Sequence, residues 1–305
     1  MIKILDGGMS RELVRLGAEL RQPEWSAWAL MHQPEIVTKV HEEFIAAGAD
    51  IITTNSYALV PFHIGEEKFL SEGRQLITLA GQLARKAVEN CQENGQGKVQ
   101  VAGCLPPIFG SYEPQKFDGS RVHAYLDVFI EALDPYVDIW LGETLSLIAE
   151  AKAVRQAVKA TNKPLWISFT LEDHKDQIVP CLRSGEAVAT AAEWISAAGD
   201  IEAMLFNCSR PEVMKQAVEV AVTILNNAPH PVEVGVYANA FESKEEPQAA
   251  NEGLSRIRDD LDGSHYCSFA CDWVEMGARI IGGCCGVGAD HIHKLAKQFK
   301  PYKQG

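Results

Sequence analysis

Basic residues are the scarce ones in this chain. It carries 28 Lys and Arg against 41 Asp and Glu, a formal net charge of −13. Such a surface repels a nucleic-acid backbone or an anionic membrane, so neither is expected as a partner. It attracts small cations, weakly at physiological salt. Long apolar runs are also missing. None approaches the roughly 18 residues that would suggest a transmembrane helix. The opening "MIKILDGGMS" lacks the apolar core and cleavage site of a secretory signal, so a cytoplasmic address is expected. Eight cysteines in 305 residues are too sparse for a disulfide scaffold. In a reducing compartment such thiols stay free unless they bind metal or do chemistry. No Gly-x-Gly-x-x-Gly turn follows the first apolar run, which removes the sign of a dinucleotide site. There is no His-x-x-x-His zinc helix, no fixed-period repeat and no low-complexity segment.

What the chain does have is alternation. Eight short apolar runs, "IKILDGG", "DIITTNS", "VQVAGCL", "VDIWLGET", "PLWISFTL", "EAMLFNCS", "VEVGVYAN" and "ARIIGGCC", read as parallel strands buried on both faces. Between them lie stretches such as "PEIVTKVHEEFIAAG" and "SLIAEAKAVRQAVKAT", with apolar residues at helical spacing. Eight strand–helix units predict an α/β chain folded as a single (β/α)₈ barrel domain over residues 1–305. A doubly wound open sheet is the rival architecture. The polar stretch "FESKEEPQAANEGLSRIRDDLDGS" after the seventh strand reads as a long loop on the active face.

In a parallel barrel the carboxyl ends of all strands meet on one face, where active sites form. This chain places Asp6, Thr54, Asn55, Cys104, Glu143, Asn207, Cys208, Tyr237, Asn239, Cys284 and Cys285 at those ends. Cys208 closes the sixth strand and Cys284–Cys285 the eighth, with one strand between. Three thiolates can then face one ion, with a fourth position left open as in catalytic zinc sites. Gly282, Gly283 and Gly286 allow the backbone to turn both adjacent sulfurs inward. The plainer alternative is a small buried Cys208 and a tight Cys-Cys turn. A disulfide between the two neighbours closes only with strain. Asp6 and Glu143 suit an ammonium group, or else cap a turn and accept from nearby backbone.

These residues resemble a known family. "LDGGMSREL", "PEWSAWALMHQPEIV", "HEEFIAAGADIITTNSY", "LGETLSLIAEAKA", "LFNCSRPE" and "GARIIGGCCGVGADHI" look like the successive motifs of the homocysteine S-methyltransferases. The resemblance covers nearly the whole chain in the right order. It implies a (β/α)₈ barrel with Zn²⁺ held by Cys208, Cys284 and Cys285. It also implies that Asp6 and Glu143 bind the amino group of the amino-acid substrate, with Trp25 at its mouth. Asn207, beside the first ligand, is expected at the substrate. The implied partners are a homocysteine-like thiol and a small cationic methyl donor.

Elimination narrows the donor. At 305 residues there is no room for cobalamin or folate modules, and the carboxyl-terminal segment expected of the betaine enzyme is not seen. S-methylmethionine or S-adenosylmethionine is left as the expected donor. Two rivals remain: a thiol or selenol methyltransferase with another acceptor, and a non-enzymatic zinc-binding barrel. The sequence departs from the family in two loops. Ala238 stands for proline and Ala240–Phe241 for Ser-Gly after the seventh strand, and "GCLPPIFGSY" is bulkier than the usual turn after the third. Cys104 is expected to be a packed thiol. Cys91 and Cys181 are expected bystanders, and Cys267, Cys271 and His265 are expected to belong to an amphipathic helix. Trp25, Tyr57, Tyr112 and Tyr237 are aromatics able to stack on a cationic donor, though packing accounts for each as well.

Overall fold

The computed structural model describes residues 1–95, 97–173, 179–242 and 256–300. Eight strands form one parallel sheet: β1 (Lys3–Ile4), β2 (Ile51–Thr53), β3 (Gln100–Leu105), β4 (Ile139–Leu145), β5 (Leu165–Phe169), β6 (Ala203–Asn207), β7 (Glu233–Tyr237) and β8 (Ile280–Ile281). Seven lie inside the runs expected from the sequence, and β4 extends one residue past its run, to Leu145. The hydrogen-bonded order runs β1-β8-β7-β6-β5-β4-β3-β2. A parallel bridge between Leu5 and Ile51 joins the two ends, so the sheet curls into a (β/α)₈ barrel. Two backbone bonds support that seam: Asp6 N–H to the Ile51 carbonyl (3.0 Å) and Asp50 N–H to the Ile4 carbonyl (2.7 Å).

Side chains alternate across each strand because successive Cβ atoms point to opposite faces. Leu5, Ile51, Ala102, Ile139, Leu141, Trp166, Ala203, Leu205, Tyr237 and Ile280 fill the barrel's interior as one cluster. Their neighbours Ile4, Ile52, Val101, Trp140, Ile167, Phe206, Val236 and Ile281 face the helices instead. Burial on both sides explains why the strands read as continuous apolar runs. The helix Pro34–Ala47 shows the local logic. Proline opens it with the φ a first turn needs. Val37, Val40, His41, Phe44 and Ile45 form its buried stripe, and Gly48 ends it at φ +109. The helix Gly263–Glu275 contains Cys267 and Cys271, as the amphipathic pattern implied, and His265 is bonded to its N-cap Asp262.

No helix among the described residues is long and apolar enough to cross a membrane. The polar stretch after β7 lies mostly outside the described residues. On its two flanks Phe241 and Ile257 pair antiparallel.

Candidate metal centre

The sulfurs of Cys208, Cys284 and Cys285 lie within 4.8 Å of one another at the carboxyl end of the barrel. Cys208 Sγ is 3.7 Å from Cys285 Sγ, and Cys284 Sγ is 4.0 Å from Cys285 Sγ. A tetrahedral ion with metal–sulfur bonds of about 2.3 Å requires ligand sulfurs roughly 3.8 Å apart. The triangle therefore has the size of one face of a thiolate tetrahedron. Among the described residues this is the one such group of His, Cys, Asp or Glu side chains. The other five cysteines are free and outside it.

The backbone explains how three sulfurs converge. Cys208 follows β6 directly and adopts φ +50, a region ordinary side chains avoid. After β8 the chain is pinned by Gly283 N–H to the Asp6 carbonyl (3.0 Å) and Cys284 N–H to the Ala238 carbonyl (2.9 Å). A Cβ on Gly283 would sit 2.0 Å from Val287 Cγ1, and Gly286 turns at φ +84. Only glycine permits that close turn. Ala240, one of the residues that depart from the family pattern, packs its Cβ toward Gly286 and donates its N–H to the Cys285 carbonyl (2.8 Å).

The three thiols are electrostatically unequal. Cys208 is driven down toward the thiolate by its two sulfur neighbours and by the Tyr112 hydroxyl, which donates to it at 2.8 Å. Cys284 and Cys285 are pushed up, chiefly by Cys208. One negative charge on the triad thus resists a second and a third unless a cation joins them.

Two carboxylates share the same mouth. Asp6 accepts from Thr53 through its backbone N–H (2.7 Å) and hydroxyl (3.2 Å). Burial raises Asp6 to about 8, with the Glu143 charge adding to it. Burial likewise raises Glu143 to about 7, and the Cys208 charge contributes. Cys104, fully buried as expected, donates its thiol to Glu143 at 2.9 Å. It belongs to the carboxylate and not to the sulfur triangle.

The Asn207 amide is bonded to four groups of the protein around the sulfur triangle. Its Oδ1 accepts from the Thr144 N–H (3.1 Å) and the Ser168 hydroxyl (2.7 Å). Its Nδ2 donates to the Thr144 hydroxyl (2.7 Å) and, over 3.9 Å, to Cys284 Sγ. All four hydrogen-bonding positions of the amide are thereby used within the protein. The residue braces Thr144, itself at φ +59 and next to Glu143. Trp25 caps the helix Ser26–His32 at φ +50 and is half-buried. The Ser26 carbonyl next to it accepts from Asn55 (3.3 Å), which ties this loop to the end of β2. Sequence reasoning noted Tyr112 only as an aromatic. Its bond to Cys208, and the placement of Arg183 over its ring at 5.1 Å, had no sequence signal.

Comparison with known proteins agrees with this geometry. The family model described as Homocysteine S-methyltransferase matches residues 3–299. Homocysteine S-methyltransferase YbgG of Bacillus subtilis is 30% identical, over 98% of this chain and 95% of its own. Selenocysteine methyltransferase of Astragalus bisulcatus is 25% identical, over 96% and 91%. The crystal structure of the homocysteine methyltransferase MmuM from Escherichia coli in its metallated form superposes with a TM-score of 0.76. It is 26% identical, covering 97% of this chain and 96% of that one. A barrel of eight strands ending in three converging sulfurs, matched over almost its full length by these enzymes, belongs to the homocysteine S-methyltransferase family.

Proposed function

We propose that the whole chain acts as one zinc-dependent barrel that transfers a methyl group from a cationic donor to the thiolate of homocysteine, giving methionine. The observation that carries this reading is the sulfur triangle of Cys208, Cys284 and Cys285, sized for a thiolate-bound ion. Those three residues would hold the zinc. When bound, the ion lowers the pKa of a thiol in its open position, so that a sulfur normally titrating near 8.5 is a nucleophile at neutral pH.

The chain's own residues do the recognising. Asp6 and Glu143 take the substrate ammonium. Both are held high in pKa by burial, and an arriving cation lets both ionise. Asp6 follows β1 and Glu143 lies on β4, whereas the three sulfurs follow β6 and β8, so amino-group recognition and sulfur binding fall to different strands. Asn207 and Thr144 fix the end of β4 that presents Glu143. Trp25 stands at the rim. In the transfer, a thiolate lone pair forms the new S–CH₃ bond while the donor's bond to that methyl breaks. The bonding pair returns to the donor sulfur, which becomes a neutral thioether. A sulfonium such as S-methylmethionine or S-adenosylmethionine suits this step because charge is annihilated in it, and positioning in a dry mouth suffices.

A second acceptor class has one observation behind it. The likeness to a selenocysteine methyltransferase extends over 96% of this chain. A selenolate would use the same metal position and the same carboxylates. The deciding experiment offers homocysteine and selenocysteine with S-methylmethionine, S-adenosylmethionine and betaine in turn, with zinc measured on the same sample. Methyl transfer to homocysteine from a sulfonium donor, at about one zinc per chain, is expected. No transfer to either acceptor from fully metallated protein would overturn the reading.

A further inference from the structure

One hydrogen bond at the mouth serves neither metal ligation nor ammonium recognition. The Tyr112 hydroxyl donates to Cys208 Sγ at 2.8 Å. Both residues are held at positive φ, +65 for Tyr112 and +50 for Cys208. Bulky side chains adopt that conformation only where the surroundings over-determine it, and such strain concentrates at functional sites. Of the five non-glycine residues at positive φ among the described residues, Cys208 belongs to the sulfur triangle, Tyr112 bonds to it and Thr144 is joined to Cys284 through Asn207.

Support for the tyrosine is equally specific. The Arg183 guanidinium lies 5.1 Å from its ring centroid. Arg183 is in turn held by Asp173 at 3.1 Å and through its backbone N–H by the Thr170 carbonyl at 3.0 Å. A cation over the ring draws electron density from the phenol and makes its O–H a stronger donor. Among the described residues the other two sulfurs receive no hydroxyl hydrogen bond of this kind. Cys284 receives a long amide contact at 3.9 Å, and Cys285 faces its two thiol neighbours.

We propose that Tyr112 is a positioning residue acting through Cys208. Its hydroxyl aims that sulfur at the metal position and withdraws negative charge from it, with Arg183 supporting the donor. The three ligands of the centre are thereby made unequal, Cys208 being the least electron-rich. This inference rests on the metal centre proposed above. Outer partners of metal ligands tune both affinity and electronic structure in this way.

The test uses the full chain loaded with Zn²⁺ or Co²⁺. Tyr112→Phe keeps the ring and its stacking on Arg183 and removes only the hydroxyl. Without that donor the Cys208 lone pairs rise in energy, so the thiolate-to-cobalt charge-transfer band should move to longer wavelength. Zinc affinity, read by chelator competition, should fall about tenfold to a hundredfold. Arg183→Met keeps the hydroxyl and weakens it, so the band should move the same way by less. A purely packing role would lower the melting temperature of either variant without moving the band. An unmoved band and unchanged zinc affinity in Tyr112→Phe would overturn the inference while leaving the metal centre intact. A wild-type protein that takes up neither ion would overturn both.

Discussion

The two ends of the barrel treat charge in opposite ways. At the amino-terminal end Lys3 pairs with Glu233 and lies over the Trp166 ring at 5.6 Å. Asp50 accepts the Ile4 N–H (2.9 Å) and pairs with Lys300 (2.6 Å), and Asp138 accepts the Val101 N–H (2.8 Å) and pairs with Arg85 (2.9 Å). Each of these carboxylates has a cation. At the carboxyl-terminal end Glu143 adds to the charge burden on buried Asp6, and the Cys208 sulfur adds to that on buried Glu143. The lower end is built to hold the barrel closed. The upper end leaves charge and hydrogen-bonding capacity for ligands to satisfy, as the active face of this fold commonly does. Stability is given up there in exchange for binding.

The largest break in this contrast should come from the triad. Cys208→Ser removes one of three ligands, so the purified, reduced protein should lose most of its metal and its methyl transfer, whereas Cys91→Ser should keep both. Metal analysis beside activity decides it, and full zinc occupancy in the Cys208/Cys284/Cys285 triple serine variant would remove the centre altogether. Glu143→Gln comes next. A charge-assisted hydrogen bond contributes about 1.5–3 kcal/mol, so affinity for homocysteine should fall roughly ten- to a hundredfold while zinc content stays near wild type. Calorimetric titration with homocysteine and a des-amino analogue reads this directly. Equal losses for both ligands would take Glu143 out of ammonium recognition.

A gain is expected from Asp6→Asn. Burial raises Asp6 from 3.8 to about 8, so the folded state binds the proton more tightly than the unfolded chain. Its contribution is fully present below pH 3.8 and is lost as pH rises through about 8. Asparagine needs no proton there and can still accept from the Thr53 N–H. The variant should therefore be more stable than wild type at pH 8, by up to about 5 kcal/mol, with the gap closing toward pH 4. Urea unfolding at the two pH values measures it, and a variant less stable at pH 8 would show that Asp6 is held by its partners more than it is strained by burial. The smallest effect belongs to the other end. Lys3 and Glu233 are 40% and 38% exposed, so Lys3→Met should cost under about 1 kcal/mol and leave zinc and activity unchanged. A larger loss would mean that this ion pair, and not the apolar interior, closes the barrel's lower end.

Much of the fold was legible in the chain. Eight apolar runs became eight strands because a strand covered on both faces needs an unbroken apolar sequence. Cys208, Cys284 and Cys285 could be gathered on paper because strand ends in a parallel barrel share one face. Asp6 and Glu143 were placed by the same rule. Asn207 was legible as a strand-end residue, whereas the partners of its amide, Thr144, Ser168 and Cys284, were not. Cys104 was read as a packed thiol, which it is, but its donation to Glu143 depends on two strands standing in register.

By itself, then, the order of residues determined the strand count, the face on which chemistry gathers and the three sulfurs available to a metal. Periodicity and chain order carry that information locally. The tertiary structure alone decided which polar groups meet. The Tyr112 hydroxyl on Cys208, the Arg183 guanidinium over that ring and the burial that raises Asp6 and Glu143 all join segments dozens of residues apart. Hydrogen bonds and desolvation act over a few ångströms of space, and distance along the chain does not record them.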